Sequence, residues 1–181
     1  AEQGLRYAHG QGGMPIGKTY RGRPFMTGHA YHSQAYDPLS KKLIVCGQDP
    51  KVMVKDAVFF AYDPAAGDWA ARPIPAPFAH NYSTTILCST PTGAVAWNGQ
   101  DLWRLDLAAN RWDRLALSGK LPPGGPDRHG MTYDLSRDRL LLFSGQAKGE
   151  VVAYDIPAGQ AVPQAPRGKD AMPGLSSREV V

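Results

Sequence analysis

Three short apolar runs set the rhythm of the chain: Leu43-Ile44-Val45-Cys46, Ala94-Val95-Ala96-Trp97 and Leu140-Leu141-Leu142-Phe143. None alternates strictly with polar residues, so each is predicted to be a strand buried on both faces. Each leads into Gly-Gln, at Gly47-Gln48, Gly99-Gln100 and Gly145-Gln146, and the glycines recur after 52 and then 46 residues. A second signal follows each run, in Ala61-Tyr62-Asp63, Arg104-Leu105-Asp106 and Ala153-Tyr154-Asp155. Trp69 and Trp112 stand six residues beyond the first two of these aspartates, and Ala161 takes that place in the third unit. The intervening Pro64-Ala65-Ala66-Gly67-Asp68 and Leu107-Ala108-Ala109-Asn110-Arg111 carry the small residues and the Gly or Asn of a tight hairpin.

A third signal precedes the outer runs, as Ala35-Tyr36-Asp37-Pro38 and Thr132-Tyr133-Asp134-Leu135, each followed by a polar turn. The middle unit offers Tyr82 through Leu87 for this strand and Ser89-Thr90-Pro91-Thr92-Gly93 for its turn. Each unit therefore reads as four short strands joined by hairpins. Such a long period fits the blades of a propeller and is too long for leucine-rich repeats.

These landmarks, in this order, resemble the kelch repeat: a strand ending in paired glycines, a Tyr-Asp, and a Trp about six residues on. The double glycine stands here as Cys46-Gly47, Asn98-Gly99 and Ser144-Gly145, and the resemblance runs from about Gly28 to Pro166. It implies an all-β chain of kelch-type β-propeller blades, each a four-stranded antiparallel sheet. The expected division is a Gly-rich segment over 1–27, blades over 28–79, 80–127 and 128–175, and the start of a further blade over 176–181, where Arg178 aligns with Arg128. Propellers close with about four to eight blades. The expectation is therefore a partial propeller, either part of a larger one or closing with other copies through open blade edges and faces.

Composition agrees with a turn-rich β protein: 20 Gly and 16 Pro among 181 residues, 43% hydrophobic and 20% charged. No run approaches the roughly 20 apolar residues of a membrane span, so none is expected. The net charge of +4 comes from 20 Lys and Arg scattered among 16 Asp and Glu. Without a basic stripe, nucleic-acid binding is not expected. Cys46 and Cys88 supply neither a disulfide framework nor a metal quartet. Placed at strand ends on opposite rims, they are also not expected to pair.

Gly12-Gly13-Met14-Pro15-Ile16-Gly17-Lys18-Thr19 matches the phosphate-cradling G-x-x-x-x-G-K-[ST] motif. No buried strand precedes it, and Tyr20-Arg21-Gly22-Arg23-Pro24 cannot start a stable helix, so the anion site loses its physical basis. His29 and His32, three apart, would point to opposite faces of a strand and so form no metal pair. The kelch resemblance also raises the enzymes built on this fold, a copper radical oxidase of the galactose-oxidase type or a sugar epimerase. The oxidase needs two His, two Tyr and a Cys crosslinked to one Tyr, and no motif places that set here. No cofactor is expected, and catalysis by this segment is not favoured.

Positive groups carry the preferred hypothesis. The starts of first strands and the ends of second strands share one rim. Arg128, His129 and Arg178 fall at the starts, Lys51, Lys55 and Lys148 follow the ends, and Arg21 and Arg23 belong to the Gly-rich insertion expected on the same side. Together they would form a basic rim suited to a protein partner or to an acidic peptide or glycan. The resemblance implies the same surface, because kelch proteins often bind through these loops.

Overall fold

The computed structural model describes residues 19–20, 23–24, 34–47, 58–70, 74–78, 85–123, 129–144 and 150–164. These residues contain no helix; their strands make a two-stranded ribbon and three antiparallel sheets of four to five strands. The ribbon pairs β1 (Thr19–Tyr20) with β2 (Arg23–Pro24), Tyr20 opposite Arg23. Thr19, the last residue of the P-loop-like motif, thus enters a hairpin strand, where a phosphate-binding loop would continue into a helix. Gly12 to Lys18 lie outside the described residues.

Sheet one is the meander β3 (Gln34–Asp37), β4 (Lys42–Gly47), β5 (Val58–Asp63), β6 (Asp68–Trp69), with β7 (Ile74–Pro75) pairing to the start of β5. Sheet two is β8 (Ile86–Thr90), β9 (Gly93–Trp97), β10 (Leu102–Asp106), β11 (Arg111–Arg114). Sheet three is β12 (His129–Asp134), β13 (Arg139–Ser144), β14 (Glu150–Asp155), β15 (Gln160–Gln164). The first strands lie side by side, β3 against β8 and β8 against β12.

One chemical device closes five of the hairpins. Asp37, Asp63, Asp106, Asp134 and Asp155 each end a strand, and each carboxylate accepts backbone N–H groups two or three residues on, from Ser40, Ala65 and Ala66, Ala109, Ser136 and Ala158. Four residues past each aspartate the backbone turns left-handed, at Lys41, Gly67, Asn110, Asp138 and Gly159, with φ between 51° and 65°. The carboxylate holds the turn and the left-handed residue brings the chain back into register. The Tyr-Asp and Leu-Asp landmarks are therefore hairpin chemistry.

The hairpin between β8 and β9 departs from this and from the expected turn. Ser89 and Thr90 still belong to β8, Gly93 opens β9, and only Pro91-Thr92 turn. Thr90 stands where Asp37 and Asp134 stand, and its hydroxyl donates to the Gly93 carbonyl at 2.7 Å. Cys88, expected at that position, lies two residues earlier, opposite Val95. Register also shifts one landmark. Ile44, Val95 and Leu141 are equivalent, opposite Ala61, Arg104 and Ala153. Gly47 thus occupies the place of Asn98 and Ser144, and the first Gly-Gln falls one residue earlier than the other two. Trp69, Trp112 and Ala161 share a register, opposite Tyr62, Leu105 and Tyr154, as the spacing predicts.

Alternation along β9 sorts its residues between two cores. Ala94 and Ala96 join Ile44, Phe59, Ala61, Leu105 and Trp112 between sheets one and two. Val95 and Trp97 join Ile86, Leu102, Leu140, Leu142, Val152 and Tyr154 between sheets two and three. All four of these β9 residues are fully buried, as predicted for a strand without polar alternation, whereas in β13 only Leu140 and Leu142 are: Leu141 is half-buried and Phe143 exposed, because no described sheet covers that face. In the first core Phe59 and Trp112 meet with ring centres 4.9 Å apart, and Phe78 packs on Trp103 at 5.1 Å.

Polar contacts fasten the sheets at their seams. The Ala94 N–H donates to Asp37 Oδ1 and the Tyr36 N–H to Ser89 Oγ, both at 3.0 Å. Asp37 thus closes its own hairpin and anchors the next sheet from a buried position. On the other side, the segment after β11 runs against sheet three. Ser118 N–H donates to the Gly159 carbonyl, Ala161 N–H to the Ser118 carbonyl, and Tyr154 OH to the Ala116 carbonyl. A Cβ on Gly119 would lie 2.4 Å from the Ala161 carbonyl oxygen and 3.5 Å from the Ala161 Cβ. The passage fits because Ala161 replaces the bulky Trp of the other units.

Two predictions follow from these turns, both read by urea unfolding. Asp37→Ala is expected to cost about 2–3 kcal/mol, because it removes a cap and leaves the buried Ala94 N–H unpaired, whereas Asp106→Ala should cost about 1 kcal/mol. Gly67 has open space around it, so Gly67→Ala should cost only the left-handed conformation, about 1 kcal/mol. Gly159→Ala should cost at least about 2 kcal/mol, since its Cβ would also press on the Ala116 carbonyl at 3.1 Å.

Candidate binding rim

Meander topology gives the sheets two rims of different construction. One carries the Asp-capped hairpins. The other gathers the starts of first and third strands and the ends of second strands, as in His129 opposite Ser144 and Ser144 opposite Glu150. Here the chain passes between second and third strands through 48–57, 98–101 and 145–149; the first and last are longer than the turns opposite, and 98–101 matches the four residues of the Asp-capped ones.

At the hairpin rim several charges are consumed locally. Lys42 pairs with Asp63 at 3.5 Å, and Arg137 and Arg139 reach Asp134 at 3.2 and 3.3 Å. Hydrogen bonds from Ser136, then from Arg137 and Arg139, hold the Asp134 carboxyl down at about 2. The backbone N–H groups of Ala66 and Ala65 lower Asp63 in the same way.

On the opposite rim His129 begins β12, half-buried, where the strand assignment expects it. Its ring stands edge-on to Trp97, with centroids 5.0 Å apart at 89°. Trp97 ends β9 and is completely buried, so the imidazole rests on a rigid aromatic wall between sheets two and three. Beside it Ser144 Oγ donates to the Pro123 carbonyl at 2.7 Å, tying the end of β13 to the segment leading toward β12. Arg23 lies on β2, opposite Tyr20. Arg128, Arg178, Lys51, Lys55, Lys148 and Arg21 lie outside the described residues; by strand order Arg128 immediately precedes β12, Lys51 and Lys55 fall between β4 and β5, and Lys148 between β13 and β14.

Sequence reasoning missed the turn at 98–101. Asn98 Oδ1 accepts the N–H groups of Gln100 and Asp101 at 3.0 and 2.7 Å, and Asp101 then takes the Arg114 guanidinium at 2.5 Å. Asn after a strand was the available signal, and the Gly-Gln landmark drew attention past it. Trp97 was legible as core but not as the support of His129, which requires knowing that β8 and β12 are neighbours.

Two potential nucleophiles among the described residues, Cys88 and Tyr133, are not activated. Cys88 is a free thiol pushed up to about 11 by burial. The Tyr133 phenol donates to Asp138 and is pushed up to about 12, chiefly by that bond. Among the described residues no three His, Cys, Asp or Glu gather to hold a metal, and no helix is long and apolar enough to cross a membrane. His29, His32 and the Cys46 side chain lie outside the description. No known protein family matches the chain, and no curated protein does.

The Asp134 network predicts a pH dependence. Its folded pKa lies below the ordinary 3.8, so its contribution is present above that value and is lost as pH falls through about 2. Between pH 5 and 2 the urea midpoint of the wild type should fall more steeply than that of Asp134→Asn.

Proposed function

We propose that the three sheets are consecutive blades of a kelch-type β-propeller, and that the chain binds a protein or acidic glycan partner through the loops of the His129 rim. Catalysis by this segment is not part of the reading. The observation that supports the blade arrangement is the placement of the first strands side by side, which is where blades meet around an axis. The difference between the rims supports the choice of surface. One rim is fixed by turn chemistry and pairs Lys42, Arg137 and Arg139 locally, whereas the other holds the longer connections 48–57 and 145–149, and binding residues concentrate in such loops. By chain order Lys51, Lys55 and Lys148 fall in those connections, and Arg128 directly precedes the half-buried His129.

Titration with a fluorescent oligo-glutamate peptide and with oligogalacturonate tests this surface. Arg128→Glu combined with Arg178→Glu is expected to weaken binding of the preferred probe at least about tenfold and to flatten its salt dependence. Arg137→Glu, on the hairpin rim, should leave it unchanged. Unaltered affinity in the double variant would remove the basic rim from consideration.

A further inference from the structure

The connection 98–101 repeats the capping chemistry of the opposite rim with an amide in place of a carboxylate. Asn98 Oδ1 accepts the N–H groups two and three residues on, from Gln100 at 3.0 Å and Asp101 at 2.7 Å. Asp63 Oδ1 accepts from Ala65 at 2.9 Å and Ala66 at 3.2 Å in the same pattern. The residue that follows Asn98 gives this amide a reactive neighbour. The chain has three asparagines; Asn81 precedes Tyr82 and Asn110 precedes Arg111, whereas Asn98 precedes Gly99. Gly99 has φ 92° and no Cβ to screen its nitrogen, and both residues are only half-buried, so water reaches the turn. The two N–H groups on Oδ1 keep the Asn98 amide folded over the peptide that follows it. They also donate to the oxygen that gathers negative charge when a nucleophile adds to Cγ, as the donors of an oxyanion hole do.

We propose that Asn98 is a self-modification site, at which the side-chain amide converts to a carboxylate. The Gly99 nitrogen bonds to Asn98 Cγ and the Cγ–Nδ2 bond breaks, the Gly99 proton leaving with Nδ2 as ammonia. Water then opens the resulting cyclic imide. Cleavage of its Cγ–N bond gives an aspartate at position 98; cleavage on the main-chain side gives the isoaspartyl form, in which the backbone runs through Cγ. The aspartate meets a turn already shaped for it, since its oxygen accepts the same two N–H groups that capping carboxylates take elsewhere in this fold. The isoaspartyl form instead adds a main-chain carbon to a four-residue connection. Trp97 and Leu102, paired across the ends of that connection, are both buried, so this product strains the seat of the ring behind His129. Either product places a new negative charge on this rim, close to Asp101, whose carboxylate already holds Arg114.

The intact chain is aged at mildly alkaline pH, digested and followed by mass spectrometry, with released ammonia measured alongside and the isoaspartyl form titrated by enzymatic methylation. The peptide holding Asn98 is expected to convert at least about tenfold faster than the one holding Asn110, because only glycine leaves the attacking nitrogen unscreened. Gly99→Ala should remove most of this difference. Because alanine is strained at that φ, the variant and the wild type are also compared in guanidinium, where the turn is absent. The folded wild type should convert within about tenfold of its unfolded rate, since the site reacts without local unfolding. Asn98→Asp should unfold at a urea midpoint close to that of the wild type, and Asn98→Ala at a lower one. Conversion of Asn98 no faster than of Asn110, protection in the folded state beyond the tenfold range, or an Asn98→Asp midpoint as low as that of Asn98→Ala would each overturn the proposal.

Discussion

Strand β9 has no face that water can reach. Ala94 and Ala96 are buried against sheet one, Val95 and Trp97 against sheet three, and this double burial makes sheet two a layer that exists only between neighbours. An antiparallel sheet is usually content with one dry face. Here the hydrophobic gain from both faces is available only when three sheets stack, so the stability of the described structure is shared among its layers rather than owned by any one of them.

Given that constraint, the polar contacts decide how the layers align. Asp37 shows the economy of the solution: one buried carboxylate closes its hairpin through Ser40 and holds the Ala94 N–H of the next sheet. The second seam uses main chain instead, with Ser118 threaded between Gly159 and Ala161. Two neighbouring seams of the stack are thus locked by different chemistry, although the strand register within the sheets is the same.

Much of this was legible beforehand. The apolar runs and the aspartates identify strands and turns because both act within a few residues, and the Asp-to-Trp spacing gives the pairing of Tyr62 with Trp69 and of Tyr154 with Ala161 directly. The reading slipped where one chemistry substitutes for another: the Thr90 hydroxyl does the work of an aspartate, so β8 runs longer than its composition indicates. It slipped again at Gly47, where an identical dipeptide sits one register position away from its apparent equivalents. On the candidate rim, the position of His129 was readable from strand order. Its contact with Trp97 was not, because that depends on which strands of different sheets become neighbours.

The Asp-capped hairpins have a consequence for how the chain acquires its structure. Each is specified within six residues, and a β-hairpin can form in roughly microseconds once its turn is favoured. Five such nuclei can assemble independently, without waiting for distant partners. The costly step is then the docking of β3, β8 and β12 with one another, which brings together residues as far apart in sequence as Tyr36 and Ser89. Folding speed should accordingly be governed less by the turns that dominate the sequence signal than by the few seam residues that leave hardly any trace in it.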